Sequence, residues 1–142
     1  MERTPPDGFS PWTRGESPVT RHWEPIYSRA TDDKVELGTY VRECHCNSRG
    51  LLHGGVIAAL CDVAMGHCYG AALRRDGSAA TALLTTQLAV DYIGKADGGW
   101  LQITAAVVHA GRNSGIAECG VTADGRLVAH AKAAFRTVPQ TE

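Results

Sequence analysis

The segment from Leu51 to about Leu73 constrains this chain most: it is almost continuously apolar, rich in Ala and Leu and poor in helix breakers. It reads as one long helix beginning near Gly54. A helix lying on a domain surface needs a broad polar face, which this one lacks, so other elements must wrap it. Its neighbours are strands. Lys34 to Cys44 alternates, with Val35, Leu37 and Val41 on one face and Lys34, Glu36 and Arg42 on the other. Leu84, Leu88, Val90 and Tyr92 oppose Thr85, Gln87 and Asp91. Leu101, Ile103, Ala105 and Val107 oppose Gln102 and Thr104, after the turn-rich Gly94 to Gly99. Two more strands, about Gly115 to Thr122 and Leu127 to Val138, meet at Asp124-Gly125, a hairpin signal because both residues tolerate positive φ. The order β-α-β-β-β-β predicts an α+β fold in which a curved antiparallel sheet of about five strands wraps the helix. In the last strand Ala129, Ala131 and Ala133 would let the helix come close.

At 142 residues the chain has the length of one domain and can bury a core without a disulfide or a metal. Residues 1 to about 30 hold five of the six prolines, with Trp12, Trp23 and Tyr27, and show no sustained period. They read as an irregular arm with one short helix near Val19 to Trp23, its aromatic residues docked on the domain or packed over a pocket. Residues 31–142 form the domain proper. A formal charge of −1 gives no bulk attraction to nucleic acid or to an anionic membrane, so neither is expected as a partner. No uninterrupted apolar run reaches the roughly 18 residues of a bilayer span, and the polar, Pro-rich start does not resemble a signal peptide. A cytoplasmic location follows as the expectation, with the five cysteines reduced.

Asp62 is the residue out of place. It is the one carboxylate in VIAALCDVAM, with no basic residue at helical neighbour distance. Burying such a group unpaired costs several kcal/mol, so it needs either a partner from elsewhere in the fold or a reactive role in a pocket. At the helix start, Gly54 and Gly55 leave backbone N–H groups uncovered at the positive end of the dipole, suited to a developing oxyanion. Two glycines also permit a tight turn, and only the relation to Asp62 gives the motif force. Eight residues of helix rise about 12 Å, too far for Gly54 and Asp62 of one helix to grip one reacting carbon. Two copies with antiparallel helices would bring the start of one to the middle of the other. The mechanism therefore calls for a symmetric homodimer.

Asn47-x-x-Gly50-x-x-His53-Gly54-Gly55 followed by Asp62 resembles the signature of the PaaI-like branch of the hotdog-fold acyl-CoA thioesterases. The resemblance continues through Thr85 to Tyr92, Gly111-Arg112-Asn113 and Asp124 to Ala129, covering about residues 34 to 138. It implies a hotdog fold and hydrolysis of an acyl- or aryl-CoA. Asp62 would be nucleophile or general base, and the Gly54 N–H of the neighbouring subunit would polarise the thioester carbonyl. Asn47 would orient the thioester or the water, and Thr85 would help hold that water. His53 and Gly55 belong to the same motif as substrate-binding positions. The coenzyme A phosphates fall to Arg112, Asn113 and Ser114, with Arg74, Arg75, Lys95 and Arg136 as reinforcements. Coenzyme A is part of the substrate, and no separate cofactor is implied. Dimers of this fold associate further through alternative faces, so a dimer of dimers is the expected assembly. Two departures concern the pocket: Gly94-Lys95 stands where many relatives have Arg-Pro, and Gly66 where some have a hydroxyl.

Cys44, His45, Cys46, His53, Cys61, His67 and Cys68 lack the spacing of a zinc site, so no metal is expected, and Cys61, Cys68 and Cys119 read as small buried hydrophobes. His53 reads as a brace for the helix start. A hydratase on this fold would pair a His with the acid, whereas His67 lies five residues from Asp62 on another face. A non-catalytic acyl-CoA sensor would need no carboxylate at position 62.

Overall fold

The structure is a computed structural model that describes residues 3–13, 17–78 and 82–139. In chain order its elements are β1 (Ser10–Pro11), α1 (Pro18–Arg21), β2 (Tyr27–Ala30), β3 (Lys34–Tyr40), a short 3-10 turn (Glu43–His45), α2 (Gly54–Arg75), β4 (Ala82–Tyr92), β5 (Trp100–Ala110), β6 (Ser114–Ala123) and β7 (Arg126–Val138). The seven strands form one sheet in the order β1-β2-β3-β5-β6-β7-β4, antiparallel at every pairing. The hotdog architecture is present, with seven strands rather than about five.

The two additional strands belong to the arm, which is therefore not irregular throughout. They are two and four residues long, too short to carry a side-chain alternation. Phe9, Tyr27 and Trp100 form a small second core with Tyr40 against it. Its presence moves Glu36 from the expected solvent face to 8 % exposure. There the Arg29 guanidinium donates to both Glu36 carboxylate oxygens at 3.1 and 2.9 Å, and Gln102 donates at 2.7 Å. A charge in that position requires such partners. The strand expected to reach Cys44 stops at Tyr40, and Cys44 lies in the 3-10 turn.

α2 is 22 residues long, and its buried side repeats in adjacent pairs four apart: Val56-Ile57, Leu60-Cys61, Ala64-Met65, Cys68-Tyr69 and Ala72-Leu73. That stripe packs on β3, β5, β6 and β7, where Ala129, Ala131 and Ala133 are 2 % exposed or less and admit the helix. The expectation of a helix wrapped on every side needs correction. Its other face, with Ala58, Ala59, Asp62, Val63, Gly66 and Gly70, is only partly covered. α2 also has the length and apolar composition of a membrane span, contrary to the sequence reading, although most of it is buried within the fold.

β4 departs from expectation in the same region. Leu84, Leu88 and Tyr92 are 46, 37 and 53 % exposed. Leu88 and Tyr92 lie opposite the buried Ala133 and Ala129 but at the end of the sheet, where β4 pairs with β7 alone, whereas the register shift between Thr85 and Gln87 puts Leu84, opposite Arg136, on the other face. The β6–β7 hairpin turns at Asp124 and Gly125 with φ of 47° and 80°, as the residue pair predicts.

Candidate active site

Asp62 projects from the partly covered face of α2, and its partner comes from the sheet. The Thr85 hydroxyl donates to Asp62 Oδ1 at 2.7 Å. The β4–β7 register shifts between Thr85 and Gln87, a local irregularity of the kind that re-aims side chains beside functional sites. Among the described residues no Lys, Arg or His forms an ion pair with Asp62. Carboxylate and hydroxyl share a cavity of about 380 Å³ with Trp12, Val63, Gly66, His67, Leu83 and Phe135, while Arg74, Ser17 and Ser78 are the polar residues elsewhere in its lining.

The helix start is built by capping. His53, with extended backbone, accepts the Gly55 N–H on its Nδ1 at 2.8 Å, and its carbonyl accepts the N–H groups of Val56 and Ile57 at 3.1 and 3.2 Å. The Gly54 N–H has no acceptor among the described residues, so it is the group of the first turn open to a ligand. Gly55, expected beside it as a substrate contact, has its N–H engaged by His53. His53 serves as the brace read from the sequence. Gly54 is also closely approached by another residue. The Tyr92 hydroxyl donates to the Gly54 carbonyl, and a Cβ on Gly54 would meet the Tyr92 ring at 3.2 Å.

Asn47 lies in the loop before the helix, where its Oδ1 accepts the N–H groups of Arg49 at 2.9 Å and Leu51 at 3.1 Å. That side-chain oxygen holds the loop, and Asn47 does not line the Asp62 cavity. Within one chain the fold therefore joins Asp62 to Thr85 and leaves Gly54 and Asn47 apart from them. Arg112, Asn113 and Ser114 are exposed and turn from β5 into β6 near the end of α2. The Thr137 hydroxyl donates to the carbonyls of Arg112 and Asn113 at 3.2 and 3.3 Å. Arg112 and Asn113 line a second cavity of about 680 Å³ with Asp76, Gly77 and Ser78, and Ser114 does not. Among the contributors outside the sequence reading of the site are Tyr92, Phe135, Trp12 and His67, the last expected on another face than Asp62 yet lining the same cavity. Tyr92 and Phe135 looked like ordinary strand aromatics, and only Trp12 carried a signal, as an aromatic able to cover a pocket.

The sequence profile of the thioesterase superfamily matches residues 49–130, the segment holding Gly54, Asp62, Thr85 and Tyr92. The chain belongs to the thioesterase superfamily. A Pseudomonas aeruginosa protein bearing the name "putative esterase" is 31 % identical over 132 residues, covering 92 % of this chain and 95 % of its own. A Caenorhabditis elegans protein of similar name is 31 % identical over 130 residues, 89 % of this chain and 74 % of its own. The solved structure of zebrafish thioesterase superfamily member 2 superposes with a TM-score of 0.74 at 26 % identity, covering 86 % of this chain and 88 % of that one. A Haemophilus influenzae thioesterase reaches 0.79 at 17 % identity over 89 % and 87 %, a likeness of fold alone. Membership in the superfamily supports a hydrolase of the esterase or thioesterase type.

Proposed function

We propose that the chain is an acyl-CoA thioesterase acting as a homodimer, with Asp62 as general base and the partner subunit's Gly54 N–H as oxyanion donor. The observation that carries this reading is the Thr85–Asp62 hydrogen bond inside a cavity on the partly covered face of α2. Thr85 satisfies one carboxylate oxygen of Asp62, which lines the cavity, and the other would accept a proton from water. The water oxygen attacks the thioester carbonyl carbon as Asp62 takes that proton, and charge gathers on the carbonyl oxygen opposite the Gly54 N–H. The C–S bond then breaks, the sulfur of coenzyme A takes up a proton, and free acid and thiol leave. A thiolate is a good leaving group, so this machinery needs no Ser-His-Asp triad.

The homodimer rests on two surfaces and one distance. Gly54 and Asp62 stand about 12 Å apart along one helix. The partly covered face of α2 carries small residues, and β4 is a free sheet edge carrying exposed Leu84, Leu88 and Tyr92, features that ordinarily mark an interface. Antiparallel approach of two α2 helices would bring Gly54 and Asn47 of one chain to Asp62 of the other. Arg112, Asn113 and Ser114 would receive the coenzyme A phosphates, and further pairing would make a dimer of dimers.

The test is thiol release from a panel of acyl-CoAs by wild type and Asp62→Ala. Wild type is expected to turn over and Asp62→Ala to lose at least about a thousandfold in kcat. Binding of acyl-CoA by wild type without thiol release would replace this reading with a non-catalytic sensor, and full activity in Asp62→Ala would remove Asp62 from the mechanism.

A further inference from the structure

The Asp62 cavity has a wall that comes from outside the segment matching the superfamily. Residues 49–130 carry that match, whereas Trp12 belongs to the arm. The arm holds it firmly. Ser10 and Pro11 pair with Ser28 and Tyr27, the Trp12 N–H donates to the Ile26 carbonyl at 2.8 Å, and Phe9 is seated on Trp100 with ring centroids 5.1 Å apart. From this anchored strand the Trp12 indole meets the His67 ring edge to face, at 5.4 Å with the planes at 90°. His67 lies five residues beyond Asp62, roughly 7 Å farther along the helix axis.

The cavity floor between them is glycine. Gly66, one turn from Asp62, would place a Cβ 3.6 Å from the Phe135 ring. Glycine there keeps open a slot lined by Trp12, His67, Leu83 and Phe135. With Val63 and Leu73 these residues give the cavity an apolar stretch, beside the polar Ser17, Arg74 and Ser78, that suits a hydrocarbon rather than the amides of the pantetheine arm. We propose that Trp12 is a specificity-determining residue, the wall against which the acyl group packs once it extends about one helical turn beyond the carbonyl under attack. This inference rests on Asp62 marking the reacting carbon. An acetyl group is too short to reach the indole, whereas an octanoyl or phenylacetyl group reaches it.

The experiment measures kcat/KM for acetyl-, octanoyl- and phenylacetyl-CoA in wild type, Trp12→Ala and Gly66→Ala, together with calorimetric binding of the same compounds to the Asp62→Asn forms. In Trp12→Ala the octanoyl-to-acetyl and phenylacetyl-to-acetyl ratios of kcat/KM are expected to fall about tenfold or more, the scale on which apolar pocket contacts discriminate. Gly66→Ala, whose added methyl makes only an ordinary contact with Phe135, is expected to lower the same ratios by narrowing the slot and guards against misfolding in Trp12→Ala. Ratios unchanged in both variants overturn the proposal, as does an equal loss on all three substrates. Should wild type release no thiol, the binding arm still decides: weaker octanoyl-CoA binding relative to acetyl-CoA in Trp12→Ala upholds the wall while removing the thioesterase reading, and equal binding removes the wall.

Discussion

Replacing Thr85 by Val removes the one hydroxyl that, among the described residues, bonds Asp62, while keeping the side-chain volume and the β-branched shape that a strand favours. The bond is 2.7 Å long and ends on a carboxylate, and hydrogen bonds to charged groups contribute about 1.5–3 kcal/mol. Thr85 is exposed in the single chain, which argues for the lower part of that range. At 1.36 kcal/mol per factor of ten, kcat should drop about tenfold to fiftyfold. KM should stay within about twofold, because the hydroxyl acts on the carboxylate rather than on the ground-state substrate. Stability should move by less than about 1 kcal/mol, as for surface substitutions generally. Thr85→Ser retains the O–H and should recover most of the rate. Steady-state thiol release over a range of pH, beside urea unfolding of each variant, gives every quantity needed. A Thr85→Val enzyme with wild-type kcat would refute the view that this hydroxyl positions the base.

Other consequences concern separate parts of the fold. Gly54→Ala forces a methyl to within 3.2 Å of the Tyr92 ring, so kcat/KM should fall about tenfold or more while the melting temperature moves by only a few degrees. Arg29→Ala leaves Glu36, 8 % exposed, with Gln102 as its remaining donor, and should cost about 2 kcal/mol in urea unfolding; a change below about 0.5 kcal/mol would show that the pair contributes little. Burial, and then the nearby Arg42, hold the His45 imidazole below its ordinary 6.5. The folded chain therefore keeps His45 neutral while the unfolded chain takes up a proton. The stability that this neutral group contributes is complete above about pH 6.5 and is lost as the pH falls from there towards the folded value. Urea unfolding at about pH 7.5 and pH 5 should show that loss, with a smaller difference in His45→Phe.

Asp62 was legible because a single carboxylate in an apolar helix has no surface role, and the Asp124-Gly125 turn because its backbone demands are local. The partner of Asp62 was not legible as a partner. Thr85 lies 23 residues away on another element, and only the packing of β4 beside α2 reveals which hydroxyl faces the carboxylate. The short strands of the arm escaped notice because their pairing is carried by backbone groups that any sequence possesses. Glu36 and Leu84 were misplaced for different reasons. The arm covers a face that alternation assigns to water, so Glu36 is buried, whereas the register shift between Thr85 and Gln87 breaks the alternation of β4 and turns Leu84 to the face opposite Leu88 and Tyr92. A period of two says neither what lies over a face nor where a bulge exchanges the two faces.

The shared site can be tested by mixing inactive chains. Asp62→Ala and Gly54→Val are each expected to be inactive as homodimers, and co-refolding them in equal amounts should make about half the dimers mixed. Each mixed dimer would hold one site with an intact Asp62 facing the partner subunit's intact Gly54, and one site lacking both. Thiol release should therefore return to about a quarter of the wild-type rate. If the mixed sample, with mixed dimers demonstrated by native mass spectrometry, stays as inactive as its parents, Asp62 and Gly54 do not meet across two chains.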